Sequence, residues 1–195
     1  MKRRRPGFTL IEMIIASALV ALLIAAILAL QSLVLRGQVK EWRARKIAGE
    51  SVYALEAIKT AMRAASVIAE PPADDAQYDK LIAYVNVSPA DMASRVDQSA
   101  PQTYFVFCYQ ASQGELYKYT GAYARGMSLA GMSCGADPGT GAARETLISG
   151  LQKAAVSYRF SRSAGNTNAV NIDYSISYQG TGVTGNTSVN VEKSL

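Results

Sequence analysis

The side chain with the most unusual setting in this 195-residue chain is Glu12. It stands at the head of an apolar run from Met13 to Leu30 that only Ser17 interrupts. Ser is tolerated in such a run because its hydroxyl can return to the backbone. A carboxylate beside membrane-grade sequence is costly unless it finds a partner, so it marks function by default. The second candidate for covalent chemistry is the pair Cys108 and Cys134. Two cysteines are too few for a Cys-only zinc site, and in an exported domain they are expected to form one disulfide.

Little else in the chain suggests catalysis. It contains no histidine, which removes the commonest general base and the commonest metal ligand. Serines are many, but no Ser-x-x-Lys with supporting motifs occurs. Asp74, Asp75 and Asp79 lack the spacing of a calcium loop and read as a solvated linker, so neither a metal nor a cofactor is expected. Gly139-Thr140-Gly141 is loop composition, because no lysine-bearing phosphate loop follows. The 11 tyrosines fall mostly on alternating segments and suit a half-buried sheet surface. An enzyme is therefore not expected.

The formal charge of +5 invites a nucleic-acid partner. Lys2, Arg3, Arg4 and Arg5 supply four of those charges before the apolar run begins. Without residues 1–7 the chain holds 16 basic and 15 acidic side chains. The basic character belongs mostly to the N-terminus, and no nucleic-acid partner is expected.

These residues must be positioned by elements the sequence also outlines. From Phe8 to Leu30 the apolar stretch covers about 23 residues, roughly 34 Å of helix, enough to span a bilayer. A cleaved secretory signal has a shorter apolar region ending in a small-x-small site. Here Ala16-Ser17-Ala18 falls in the middle of the run. A plain anchor explains the length and the basic start, but gives no role to Glu12. A cut after Gly7 would make Glu12 the fifth residue of a new helix beginning at Phe8. Its charge would then sit among first-turn N–H groups and near a new α-amino group, with another subunit's amine as the better-placed counter-ion.

Gly7-Phe8-Thr9-Leu10-Ile11-Glu12, preceded by a basic leader and followed by an apolar helix, resembles the type III prepilin signal of type IV pilins and type II secretion pseudopilins. The resemblance implies cleavage by a prepilin peptidase between Gly7 and Phe8, N-methylation of Phe8, and a role for Glu12 in neutralising a neighbouring subunit's N-terminus. It also implies other pilin or pseudopilin subunits, an inner-membrane assembly platform and membrane lipid as partners. The implied location is single-pass in the inner membrane, with the C-terminal domain periplasmic, and later in a filament. Arg36, Lys40, Arg43, Arg45 and Lys46 make the far flank basic too, so charge bias alone orients the chain weakly.

The helix is expected to run on past the membrane. Leu35, Val39, Trp42, Ile47, Leu55, Ile58 and Met62 recur at mostly helical spacing, with a strained step around Lys46–Tyr53. Gly37 and Gly49 are its weak points, and Pro71-Pro72 ends the segment. The period then changes to two. Leu81–Val87, Thr103–Gln110, Glu115–Thr120, Val156–Ser161, Val170–Tyr178 and Thr187–Glu192 read as strands, with 121–144 a long loop and Gly180–Gly185 a turn. The expected fold is α+β: one long N-terminal helix packed on an antiparallel sheet. The expected organisation is a leader over 1–7, a transmembrane and assembly helix over 8–35, the periplasmic half of that helix over 36–67, and a β domain over 68–195. The layout resembles J-type minor pseudopilins and W-type minor pilins. The alternative role is a DNA-binding minor pilin of a DNA-uptake system.

Overall fold

The computed structural model describes residues 9–92, 94–129, 131–135, 141–149, 154–178 and 181–190. The element order is one helix, α1 (Leu10–Ala64), followed by eight strands. The strands are β1 (Val67–Glu70), β2 (Lys80–Val85), β3 (Thr103–Gln110), β4 (Glu115–Ala122), β5 (Ala143–Ile148), β6 (Ala154–Ser161), β7 (Ala169–Tyr178) and β8 (Thr181–Asn190). The chain divides into two compact units, one ending at Arg43 and one beginning at Ala44.

In the first unit α1 is apolar on every side from Met13 to Leu30, and every described residue up to Trp42 is exposed. Ser17 Oγ donates to the Ile14 carbonyl at 2.8 Å and Ser32 Oγ to the Ala29 carbonyl at 2.7 Å. Both polar side chains are therefore satisfied within the helix, which the absence of water in a bilayer would require.

In the second unit α1 buries a single stripe: Ile47, Ser51, Ala54, Ile58, Ala61 and Met62. The steps of three and four residues keep these side chains on one face. The strained step in the hydrophobic pattern around Lys46–Tyr53 is resolved by small residues. Ser51 is 2% exposed, and its hydroxyl donates to the Ile47 carbonyl at 2.7 Å. Hydropathy does not count Ser and scarcely weights Ala, yet both allow a close approach of backbone to sheet. Trp42, expected on the stripe, is instead 61% exposed. The helix ends at Ala64, three residues before the expected limit at 67. Ser66 N donates to the Tyr84 carbonyl at 2.8 Å, and β-branched Val67 and Ile68 enter β1 beside Tyr84 and Ala83.

The β region forms two antiparallel sheets where one was expected: β1-β2-β3-β4-β5 and β6-β7-β8. Tyr78 and Phe160 exchange two backbone hydrogen bonds of 2.8 Å between them, as an isolated bridge rather than a continued ladder. β1 and β5 were not read from the sequence, because neither alternates clearly. β8 begins at Thr181, where a turn was expected over 180–185. It is recruited by register against β7 from Tyr178↔Thr181 to Ala169↔Asn190.

Register explains the near-continuous apolar run of β3. Phe105, Phe107 and Tyr109 pack with Leu81, Ala83, Leu116 and the α1 stripe. Tyr104, Val106 and Cys108 point to the opposite face and join Ile82, Tyr84, Tyr117 and Tyr119 in a second cluster. A strand buried on both faces loses the alternation that marks a half-exposed one. Tyr104 lies over Gly121 and Tyr174 over Gly185. A Cβ at either glycine would come within 2.6 Å of the ring hydroxyl or closer, so each tyrosine occupies the space its cross-strand partner leaves. β6–β8 send Tyr158, Phe160, Val170, Ile172, Ile176 and Val189 into the helix-side core.

Candidate functional site

The chemistry-bearing residues fall at two places. The first is the opening turn of α1. Thr9 is the N-cap, and Glu12 is the third helical residue. Glu12 Oε2 accepts from Thr9 N at 2.8 Å and from Thr9 Oγ1 at 2.9 Å. Glu12 N donates weakly to Thr9 Oγ1 at 3.4 Å and more directly to the Thr9 carbonyl at 3.1 Å. This reciprocal arrangement is a capping box, which satisfies helix-end donors that otherwise have no partner. It turns the carboxylate back toward the chain's N-terminus, and the helix dipole favours a negative charge there.

Thr9 is the functional residue that sequence reasoning passed over. Its signal was legible, since Thr-x-x-Glu before an apolar run is a capping-box pattern. Gly7 and Phe8, the expected cleavage and methylation residues, lie outside the described residues. Beyond Glu12, α1 is long and apolar enough to cross a membrane, and none of its most apolar window is buried. Glu12 is the one charged side chain between Phe8 and Leu35.

The second place is the outer face of the five-stranded sheet. A disulfide joins Cys108 on β3 to Cys134 in the β4–β5 connection, with Cα atoms 5.4 Å apart and a sequence separation of 26. That connection lies over the second aromatic cluster and buries Leu129 against it. Tyr123, Met127 and Met132 pack against the same cluster, and side-chain hydrogen bonds add to the hold. Lys80 Nζ donates to the Met132 carbonyl at 3.2 Å, Gly135 N to Tyr119 OH at 2.9 Å, and Arg144 Nη1 to the Gly135 carbonyl at 2.9 Å. Gly135 has φ of +82°, a left-handed conformation that strains any residue with a Cβ, so this corner favours glycine. Ordering a connection of this kind costs about 1 kcal/mol or more per residue in backbone entropy. The disulfide adds to the packing of Leu129, Met127 and Met132 in offsetting that cost.

Around this face the polar groups are tuned by neighbours. Glu115 accepts a hydrogen bond from the Tyr117 hydroxyl, and that bond, with partial burial, pushes the phenol up to about 12. The Arg144 guanidinium lies 5.6 Å from the same ring's centroid. Asn86 sits at φ of +57° and organises the β2–β3 connection, donating to the Asp97 and Ala100 carbonyls at 2.8 and 2.7 Å. Asp97 in turn accepts from Ser99 Oγ and Ser99 N, which holds its carboxyl below the usual range.

The acidic linker residues are engaged separately. Asp74 accepts from Tyr78 OH at 2.6 Å and from Ala76 N at 3.0 Å, and the tyrosine bond leads in lowering its pKa. Asp75 turns its backbone to φ of +62° and donates to the Arg162 carbonyl. Among the described residues no group of three or more metal-ligating side chains converges.

No curated protein and no solved structure matched the chain. A family model, described as the prokaryotic N-terminal methylation motif, matches residues 2–28 and so covers the capped turn and most of the apolar run. The match supports a type IV pilin-like substrate of a prepilin peptidase.

Proposed function

We propose that the chain is a minor pilin or pseudopilin, a structural subunit of a type IV pilus or a type II secretion pseudopilus. The leader is residues 1–7. Prepilin peptidase cuts between Gly7 and Phe8, and Phe8 is N-methylated. The anchor lies in the inner membrane with the C-terminal domain in the periplasm, and subunits are inserted through the N-terminal helix by a membrane platform. Chain layout favours the J-type or W-type minor subunits.

The observation that carries this reading is the placement of Glu12. Its carboxylate is turned to the N-terminal end of a span that is otherwise uncharged as far as Leu35. Thr9 supplies hydrogen bonds but no opposite charge. A carboxylate so placed in a low-dielectric setting gains most from a nearby cation. A neighbouring subunit's α-amino group, cationic at neutral pH, meets that need. The cut creates that amine and removes the four basic leader residues together.

The near-balanced charge of the chain after Gly7 weighs against a DNA-uptake role. The test is co-production with a prepilin peptidase, followed by mass spectrometry of the N-terminal peptide. The expected product begins at N-methylated Phe8. A chain that still begins at Met1 would rule the proposal out.

A further inference from the structure

Arg36 follows Leu35 directly, and Lys40 lies one turn further on the same side of α1. Both side chains are exposed, and among the described residues neither is in an ion pair. Arg43 continues the row at the next helical step. The nearest carboxylate in sequence, Glu41, lies about 100° round the helix from Lys40. Leu35, Val39 and Trp42 form an adjacent apolar row at the same spacing, and all three are exposed. A basic row and an aromatic-ended apolar row at the end of an apolar span are the composition of a bilayer boundary.

The charge distribution along the chain gives this row a particular weight. In the full chain, Lys2, Arg3, Arg4 and Arg5 flank the near end of the span. After a cut at Gly7 those charges are gone. Every basic side chain flanking the span in sequence then lies beyond Leu35, on the side that the positive-inside tendency leaves poor in cations. Such a bias is retained cheaply where the outer charges have a partner of their own. Long basic side chains can run their stems along apolar surface while their heads meet the phosphate layer. Arg additionally matches phosphate oxygens two at a time.

We propose that the exposed row begun by Arg36 and Lys40 binds the phosphates of anionic lipids in the outer leaflet of the membrane that α1 spans. This rests on the orientation given under the proposed function. The contact is electrostatic and screened by salt, so it holds the waiting subunit reversibly and lets go when the span leaves the bilayer. The partner is a bilayer surface of anionic phospholipid, recognised through its headgroup charge.

The chain's one tryptophan, Trp42, lies half a turn beyond Lys40 and makes the test direct. The full chain, cut after Gly7, is reconstituted into vesicles of phosphatidylcholine alone or with phosphatidylglycerol added. Quenching of Trp42 by headgroup-labelled lipid is then measured for each lipid type. The expected result is a preference of roughly tenfold for the anionic lipid at low salt, the size that one or two basic side chains supply at a charged surface. High salt should abolish the preference, as should Arg36→Gln with Lys40→Gln. The charge-conserving pair Arg36→Lys with Lys40→Arg should keep it. Equal quenching by both lipids, with the chain shown by alkaline extraction to be inserted, overturns the proposal and points to an acidic protein surface instead. A preference that survives the double glutamine variant also overturns it. A chain released by alkaline extraction fails the anchor reading itself, which separates the two failures.

Discussion

The two parts of α1 meet their solvation requirements in opposite ways. Up to Leu35 the helix presents leucine, isoleucine and valine on every side, and these side chains are exposed. From Ala44 it presents one buried stripe, and that stripe contains a serine and two alanines. The first part carries far more hydrophobicity than the second but buries none of it within the chain. A helix apolar all round asks for lipid or for neighbouring subunits, whereas a helix with one apolar stripe asks for its own sheet. Total hydrophobicity therefore says where a helix can be solvated, and its angular distribution says what it packs against.

The sharpest way to break this contrast is at Glu12. Glu12→Ala leaves cleavage largely intact, because the residues at the cut are unchanged. It lowers incorporation into a filament by at least about tenfold, since even 1.4 kcal/mol of lost inter-subunit attraction suffices for that. Quantifying processed subunit in sheared filaments against membranes checks it, and normal incorporation counts against the assembly role.

The next largest effect lies on the buried stripe. Ile58 is fully buried, so Ile58→Ala is expected to cost about 2–5 kcal/mol and to lower the melting temperature of the domain in detergent. Leu22 is 68% exposed, and Leu22→Ala should change that melting by less than about 0.5 kcal/mol. Equal effects from both substitutions would dissolve the distinction between the two parts of α1.

Removing the disulfide is expected to have a comparable but more local result. Cys108→Ser with Cys134→Ser should cost about 3 kcal/mol, from the loop entropy of a 26-residue separation. The loss should appear first as trypsin cleavage at Arg125, in the connection the bond holds, while the α1 stripe stays protected from hydrogen exchange. Simultaneous loss of both would show that the two sheet faces unfold as one.

The smallest expected effect is a gain. Gly49 lies on the exposed side of α1 with open space around its Cα, so Gly49→Ala should stabilise the domain by about 0.5–1 kcal/mol through helix propensity. Thermal denaturation checks the sign. A loss there would mean that the glycine serves a contact with another molecule.

Much of the molecule was legible before its structure. The long apolar helix, the Thr103–Gln110 and Val170–Tyr178 strands and the α+β class follow from local pattern. Local pattern works where a period repeats for several turns or pleats, as in Val170-Asn171-Ile172-Asp173-Tyr174. It failed where burial is achieved without hydrophobicity. Ser51 and Ala54 were invisible as core because their contribution is close approach rather than apolar area. Thr181–Gly185 read as a turn because Gly and Thr dominate it, yet ten residues of pairing with β7 make it strand. Thr9 was missed for another reason: it carried two signals, and the cleavage motif overshadowed the cap.

What the sequence determines by itself is the N-terminal segment, because its properties are one-dimensional. A run of apolar residues, a single carboxylate and a basic N-terminal stretch act through spacing along the chain, and spacing is what a sequence records. The division of the strands into two sheets, the stacking of Tyr104 and Tyr174 over glycines, and the seat of the Cys134 connection on the aromatic face were decided only by tertiary structure. Those depend on which surfaces meet. Residues far apart in sequence acquire their partners through shape and register, neither of which is written at any single position.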